Sequence, residues 1–111
     1  MARHVVTIGG AVALALAALG VPAFSQSGAT VKLFQFQPSP IEVKAGTRVT
    51  WTNEDRIEHT VTSGTPGTPD GNFDVKLPGK GATATVELKK AGVYPYFCSR
   101  HQSMRGEVRV N

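Results

Sequence analysis

The sequence predicts an all-β protein, an antiparallel β-sandwich of seven or eight short strands behind an N-terminal leader helix. Three observations carry this. Beyond residue 30, apolar residues recur with period two nearly everywhere, the spacing of strands with one buried face. Turn-forming residues punctuate that pattern every eight to twelve residues or so, and 12 glycines and 7 prolines among 111 residues supply them. Nothing after residue 25 shows the i, i+3, i+4 spacing of a helix of ordinary length.

The leader comes first in the chain. Arg3 and His4 make a short basic start, and Val5 to Val21 then runs without a charge. The run is slightly short for a membrane span. Pro22-Ala23-Phe24-Ser25 follows, with small residues three and one before a possible cut, the pattern of a secretory signal peptide. The expectation is a signal peptide over 1–25, cleaved after Ser25, and one domain over 26–111. The alternative is an uncleaved anchor. Removing 25 of 111 residues leaves 86 and takes Arg3 away, so the formal charge falls from +4 to +3. So small a chain excludes a Rossmann domain with a substrate domain, or a barrel of eight β/α units. Charge this small and scattered does not point to nucleic acid. The mature form is expected to be a monomer without a membrane span.

The elements follow in order. Gln26 to Ala29 reads as a flexible start. Val31 to Phe36 reads as one strand, ended by Pro38-Ser39-Pro40. Ile41 and Val43 make a short strand before the Ala45-Gly46 turn. Arg48 to Asn53 is a strong strand with Val49 and Trp51 on one face. His59 to Thr62 is a short strand, and Ser63 to Gly71 reads as the longest loop. Phe73 and Val75 mark a brief extended piece. Ala82 to Leu88 alternates again, Val93 to Phe97 is a strand, and Glu107 to Asn111 is the last. Trp51, Tyr94 and Tyr96 read as core. By parity with Cys98, Phe97 points to the opposite face, where it either is exposed near the site or, as the preferred reading, covers apolar surface.

The chemistry concentrates around the single cysteine. One cysteine excludes an internal disulfide and every zinc site built on several thiolates. In an oxidising compartment an unpaired thiol is a liability unless something holds it. The mature chain holds two histidines, His59 and His101, and one methionine, Met104. Three of these rare residues form Cys98-x2-His101-x2-Met104. Two imidazoles, a thiolate and a thioether are a soft donor set that suits copper with a weak, long axial thioether, whereas zinc has little use for the thioether. Side chains alternate along a strand, so Cys98 and His101 can share an ion only if the chain turns after Cys98. Residues 99–105 are therefore expected to be a tight ligand loop, with Gly106 letting the chain re-enter the sheet. Taken alone, Cys98 would read as an inert buried thiol, either histidine as a satisfied polar group, and Met104 as core.

These stretches resemble the cupredoxins, the small blue-copper proteins, and within them the amicyanin and plastocyanin branch. Ile41 to Gly46, Val49 to Asn53, His59 to Val61, and Ala91 through Val110 carry the likeness. The two-residue gap between His101 and Met104 is the short-loop form typical of amicyanins. The resemblance implies a Greek-key sandwich, one copper held by His59, Cys98, His101 and axial Met104, and periplasmic electron transfer with His101 as the exit. Redox protein partners are implied, a c-type cytochrome or a periplasmic dehydrogenase or oxidase. Thr60 stands where the family commonly has Asn. Its N–H is expected to reach the Cys98 sulfur, and Ser99 to reach Thr60. Glu58, Arg100, Gln102 and Ser103 stand where amicyanins carry prolines and apolar residues, leaving Ile57 as the apolar position. A more polar docking face is expected, which argues against the usual amicyanin partner, methylamine dehydrogenase.

Two other functions compete. Copper storage or delivery would use the same ligands without an electron partner. A Cys98/His101 thiol enzyme would need a third group orienting the base, and no Asn or Asp is placed near His101 for it. The chain is therefore read as a carrier and not an enzyme.

Overall fold

A computed structural model of the chain describes residues 25–111. The leader over 1–25 therefore lies outside the described residues apart from Ser25. Nine strands follow: β1 (Gln26–Lys32), β2 (Gln35–Gln37), β3 (Ile41–Val43), β4 (Thr47–Asn53), β5 (His59–Thr65), β6 (Thr68–Leu77), β7 (Thr83–Leu88), β8 (Gly92–Phe97) and β9 (Arg105–Val110). They form two sheets, ordered β2-β1-β4-β7 and β3-β9-β8-β5-β6. The sandwich expected from the period-two pattern is present, and no helix occurs among the described residues. Each sheet contains one parallel pair, β1 with β4 and β3 with β9, and the remaining pairs are antiparallel.

Alternation sets the inner faces. Val49 and Trp51 of β4 are fully buried, as are Val61 of β5, Leu77 of β6 and Val108 of β9. Burying each such aliphatic side chain contributes roughly 1.5–3 kcal/mol. At the centre, Tyr96 meets Trp51 and Phe36 edge-on, with ring centroids 5.3 and 4.8 Å apart. The Trp51 indole N–H donates to the Tyr96 hydroxyl at 3.4 Å. Burial raises the Tyr96 phenol above its ordinary range, partly opposed by that bond. Tyr96 lies opposite Gly106 of β9. A Cβ at 106 would run into the Tyr96 ring and hydroxyl, so Gly106 makes room for the core tyrosine as well as leading into the strand.

Several local expectations change. Gln26 to Ala29 is part of β1, paired in parallel with Arg48 to Trp51; it has few apolar residues, so periodicity missed it. The stretch 31–36 is two strands joined by a turn at Leu33-Phe34. The expected long loop over 63–71 is a hairpin: Thr65 pairs with Thr68 around Pro66-Gly67. Gly67 has φ +80°, as the third position of a type II turn requires after proline. Phe97 is 2% exposed, so of its two readings the buried one holds and it is not a surface route. On the same face of its strand Val93 is exposed, so the cover is confined to the end of the strand next to Cys98.

Candidate metal centre

Two loops at one end of the sandwich deliver the chemistry. β8 ends at Phe97, and the chain turns at once. The His101 N–H donates to the Cys98 carbonyl at 3.2 Å, and the Met104 N–H donates to the His101 carbonyl at 2.9 Å. The Cys98 N–H donates to the Met104 carbonyl at 3.1 Å, closing the loop before β9. The turn expected after Cys98 is thus built from successive main-chain bonds three residues apart. His59 opens β5 in the same sheet.

The structure brings His59, Cys98 and His101 together, their donor atoms all within 4.8 Å of one another. Cys98 Sγ lies 3.7 Å from His59 Nδ1 and 3.7 Å from His101 Nδ1. Metal bonds of about 2.3 Å to sulfur and about 2.0–2.1 Å to nitrogen give an S···N edge of about 3.8 Å at a trigonal angle and about 3.55 Å at a tetrahedral one. The observed edges fall between these values, so one metal ion could be held by all three donors, a thiolate and two imidazoles that suit copper. His59 and Cys98 are fully buried, Met104 is 3% exposed, and His101 is half-buried. The site therefore reaches solvent at one imidazole.

The surrounding bonds fix these donors. The Thr60 N–H points at Cys98 Sγ at 3.4 Å, and the Ser99 N–H donates to Thr60 Oγ1 at 2.8 Å. Thr60 thus ties the two ligand loops through its hydroxyl. Arg100 and Glu58 form a 2.9 Å ion pair across the same loops, exposed and worth at most about 1 kcal/mol.

Sequence reasoning missed Asp55, Asn53 and Phe34. Asn53 is fully buried. Its Nδ2 donates to the carbonyls of Ile57 at 2.8 Å and Leu77 at 3.1 Å, and its Oδ1 accepts from the Asp55 N–H at 2.8 Å. This shapes the loop that carries Asp55. Asp55 Oδ2 lies 2.9 Å from His59 Nε2. A carboxylate only accepts, so Nε2 carries a proton toward Asp55, which turns Nδ1, the nitrogen free to bind a metal, toward Cys98. The same carboxylate accepts from the N–H of Leu33 at 2.8 Å and of Phe34 at 3.0 Å. Burial pulls the Asp55 carboxyl upward, but these two N–H groups and His59 outweigh it and hold it below the ordinary value.

Those bonds support an unusual turn. Leu33 and Phe34 have φ of 52° and 59°, the double left-handed geometry that hairpins usually reserve for Asn-Gly. It places the Phe34 ring edge-on against His59 at 5.2 Å and His101 at 5.0 Å. With Leu33 and Ile57 exposed at 74% and 40%, the end of the molecule is less polar than Glu58, Arg100, Gln102 and Ser103 alone imply. The only advance signal was two apolar residues at a point where the period-two pattern slips.

Comparison with known proteins agrees with this geometry. Residues 23–111 match the model of the copper binding proteins of the plastocyanin/azurin family. A chloroplastic plastocyanin of Tetradesmus obliquus is 34% identical over 98% of this chain and 78% of its own length. Amicyanin-alpha of Methylorubrum extorquens is 36% identical over 88% of this chain and 85% of its own. Among solved structures, a purple cupredoxin from Nitrosopumilus maritimus superposes with a TM-score of 0.71 at 26% identity, covering 77% of this chain and 99% of that one. Amicyanin from Paracoccus versutus gives 0.62 at 26% identity, covering 85% and 88%. With a family match over the whole described sandwich and a soft donor triangle at its end, the chain belongs to the plastocyanin/azurin family of copper-binding proteins, small copper proteins of electron transfer.

Proposed function

We propose that His59, Cys98 and His101 hold one copper ion, with Met104 as the weak axial ligand, and that the protein shuttles single electrons between redox proteins in the periplasm. The observation that carries this reading is the donor triangle with two 3.7 Å edges, sealed except at His101. Bound copper would supply a one-electron couple. The chain's part is to keep the donors from moving. Cys98 is held by the main-chain bonds of its loop and by the Thr60 N–H, and His59 by Asp55. A scaffold that fixes its ligands this closely costs little reorganisation when charge changes.

The burial of His59 and Cys98 keeps the thiol and one imidazole away from any substrate and leaves only the His101 edge at the surface, which supports a carrier rather than an enzyme. Electrons would pass through the His101 edge during brief contact with a c-type cytochrome or a periplasmic dehydrogenase or oxidase. Delivery of the copper itself is disfavoured by the same burial, since Phe34 lies against both imidazoles. Export by a leader over 1–25, leaving the domain 26–111, completes the reading and follows from the sequence pattern described above.

Optical and EPR spectra of the copper(II) protein test it. An intense thiolate-to-copper band with narrow copper hyperfine splitting is expected, and Cys98→Ser should abolish the colour. A copper(II)-loaded protein that stays colourless refutes the ligand set. Stopped-flow mixing with c-type cytochromes then separates a carrier, which exchanges electrons quickly, from a copper handler, which does not.

A further inference from the structure

A row of hydroxyls leads away from the ligand loop. Ser99 Oγ lies 3.1 Å from Thr60 Oγ1, Thr60 Oγ1 lies 2.9 Å from Thr62 Oγ1, and Thr62 Oγ1 lies 2.9 Å from Asp74 Oδ1. Thr60 and Thr62 are 5% and 4% exposed, although both project from the face of β5 opposite Val61. Asp74, across from Thr62 on β6, is exposed.

The direction of every proton in this row follows from valence. An ionised carboxylate can only accept, and a hydroxyl has one proton to give. Thr62 must therefore donate to Asp74. Its proton is then committed, so Thr60 must donate to Thr62. The Thr60 oxygen is left as an acceptor, and its two lone pairs receive the Ser99 N–H and the Ser99 hydroxyl. All the bonds point toward Asp74, and hydrogen bonds aligned in series polarise one another. The donating end is the peptide group joining Cys98 to Ser99, whose N–H gives to Thr60 Oγ1.

We propose that Asp74, which touches no candidate ligand, is a positioning residue for the Cys98 end of the site, acting through Thr62 and Thr60 on Ser99. Its negative charge fixes the direction of the hydroxyl row. Without that charge the Thr62 proton is free to turn back, the Thr60 lone pair is no longer reserved for the Ser99 N–H, and the link between the two ligand loops loosens. Lys76 shares the outer face of β6 with Asp74 and faces Thr60 in register, so it moderates the field of Asp74 without entering the row. The link to copper rests on the ligand set proposed above; the hydroxyl row itself does not.

The test compares Asp74→Asn, Thr62→Val and the double variant in the full chain, with Thr62→Ser as the conservative control. Amide hydrogen exchange at Ser99 is read by NMR with and without copper(I), and the reduction potential is read on the copper form. A bond that loses its charge assistance weakens enough for Ser99 exchange to rise about fivefold in Asp74→Asn. Thr62→Val should raise it at least as much, the double variant no further, and Thr62→Ser should restore it. The potential should rise in Asp74→Asn, and that rise should shrink in the Thr62→Val background. Unchanged Ser99 exchange in Asp74→Asn overturns the proposal. So does the same shift in potential in both backgrounds, which is a charge acting through space. Loss of copper colour in the unmutated protein would instead sink the ligand set, and the exchange result would still decide the relay.

Discussion

Replacing Asp55 with alanine removes an acceptor shared by three donors, and the cost can be worked from their surroundings. The His59 ring is fully buried, so its Nε2–H would lose the Asp55 oxygen in a place closed to water, a penalty of about 1–3 kcal/mol. The Leu33 and Phe34 N–H groups sit in an exposed turn. Water replaces the carboxylate there, at about 0.5–1 kcal/mol each. The sum is about 2–5 kcal/mol, a large share of the 5–15 kcal/mol typical of a small domain. Urea unfolding at neutral pH measures it. Asp55→Asn should cost less, because one oxygen still serves Phe34 and His59 while the amide group opposes the Leu33 N–H. The pH dependence carries a sign. The Asp55 pKa is lowered in the folded state, so the unfolded chain binds the proton more readily and stability rises with pH. The contribution is fully present above the ordinary aspartate range near pH 4 and is lost as pH falls through the folded value. Below about pH 5 the wild type should therefore lose stability more steeply than Asp55→Asn. Parallel pH profiles, or a loss under 0.5 kcal/mol in Asp55→Ala, would refute the reasoning.

Three further expectations concern neighbouring features. Leu33→Asn should stabilise the protein by about 0.5–1 kcal/mol, because asparagine tolerates the left-handed conformation that a leucine side chain resists; unchanged or lower stability in urea would show that the turn is not strained. Gly106→Ala should destabilise by about 1–3 kcal/mol through overpacking against Tyr96, lowering the thermal midpoint by several degrees, and Tyr96→Phe in the same chain should relieve little of it because the ring itself is in the way. Phe34→Ala should speed the removal of copper(I) by a chelator about fivefold, since aromatic contacts of this kind are worth about 1 kcal/mol; an unchanged rate would show that the ring does not guard the site.

How much of this could be read from the residues varies with the range of the interaction. Cys98, His101 and Met104 are rare residue types within seven positions, so their spacing spoke directly, and His59 was the only other histidine left in the mature chain. The strands with strong alternation, β4 and β9, were equally legible. Asp55 was not, because its two main-chain donors lie more than twenty residues away at a turn that lacks Asn and Gly. Nothing local marks Leu33-Phe34 as a reversal; the tertiary bond to Asp55 overrides turn propensity. Parity put Phe97 on the face away from Cys98 and left exposure and apolar cover as its two readings; its burial bears out the second. The Ser63 to Gly71 segment misled for the opposite reason. Its turn residues are real, yet Pro66-Gly67 alone makes the turn and the rest is drawn into β5 and β6 by pairing.

The sheet order has a consequence for how copies of the molecule meet. Two open sheets leave four margins, β2, β7, β3 and β6, each a possible template for another chain. β2 and β3 are three residues long, with prolines at 38 and 40 between them. β6 carries Pro69 and projects Asp74 and Lys76, and β7 sets Thr83, Thr85 and Glu87 outward. Among the described residues no margin is at once long, flat and apolar. The expectation is a protein that stays monodisperse in light scattering at high concentration, so that its encounters with other proteins are governed by the face around His101 and not by strand exchange at its borders.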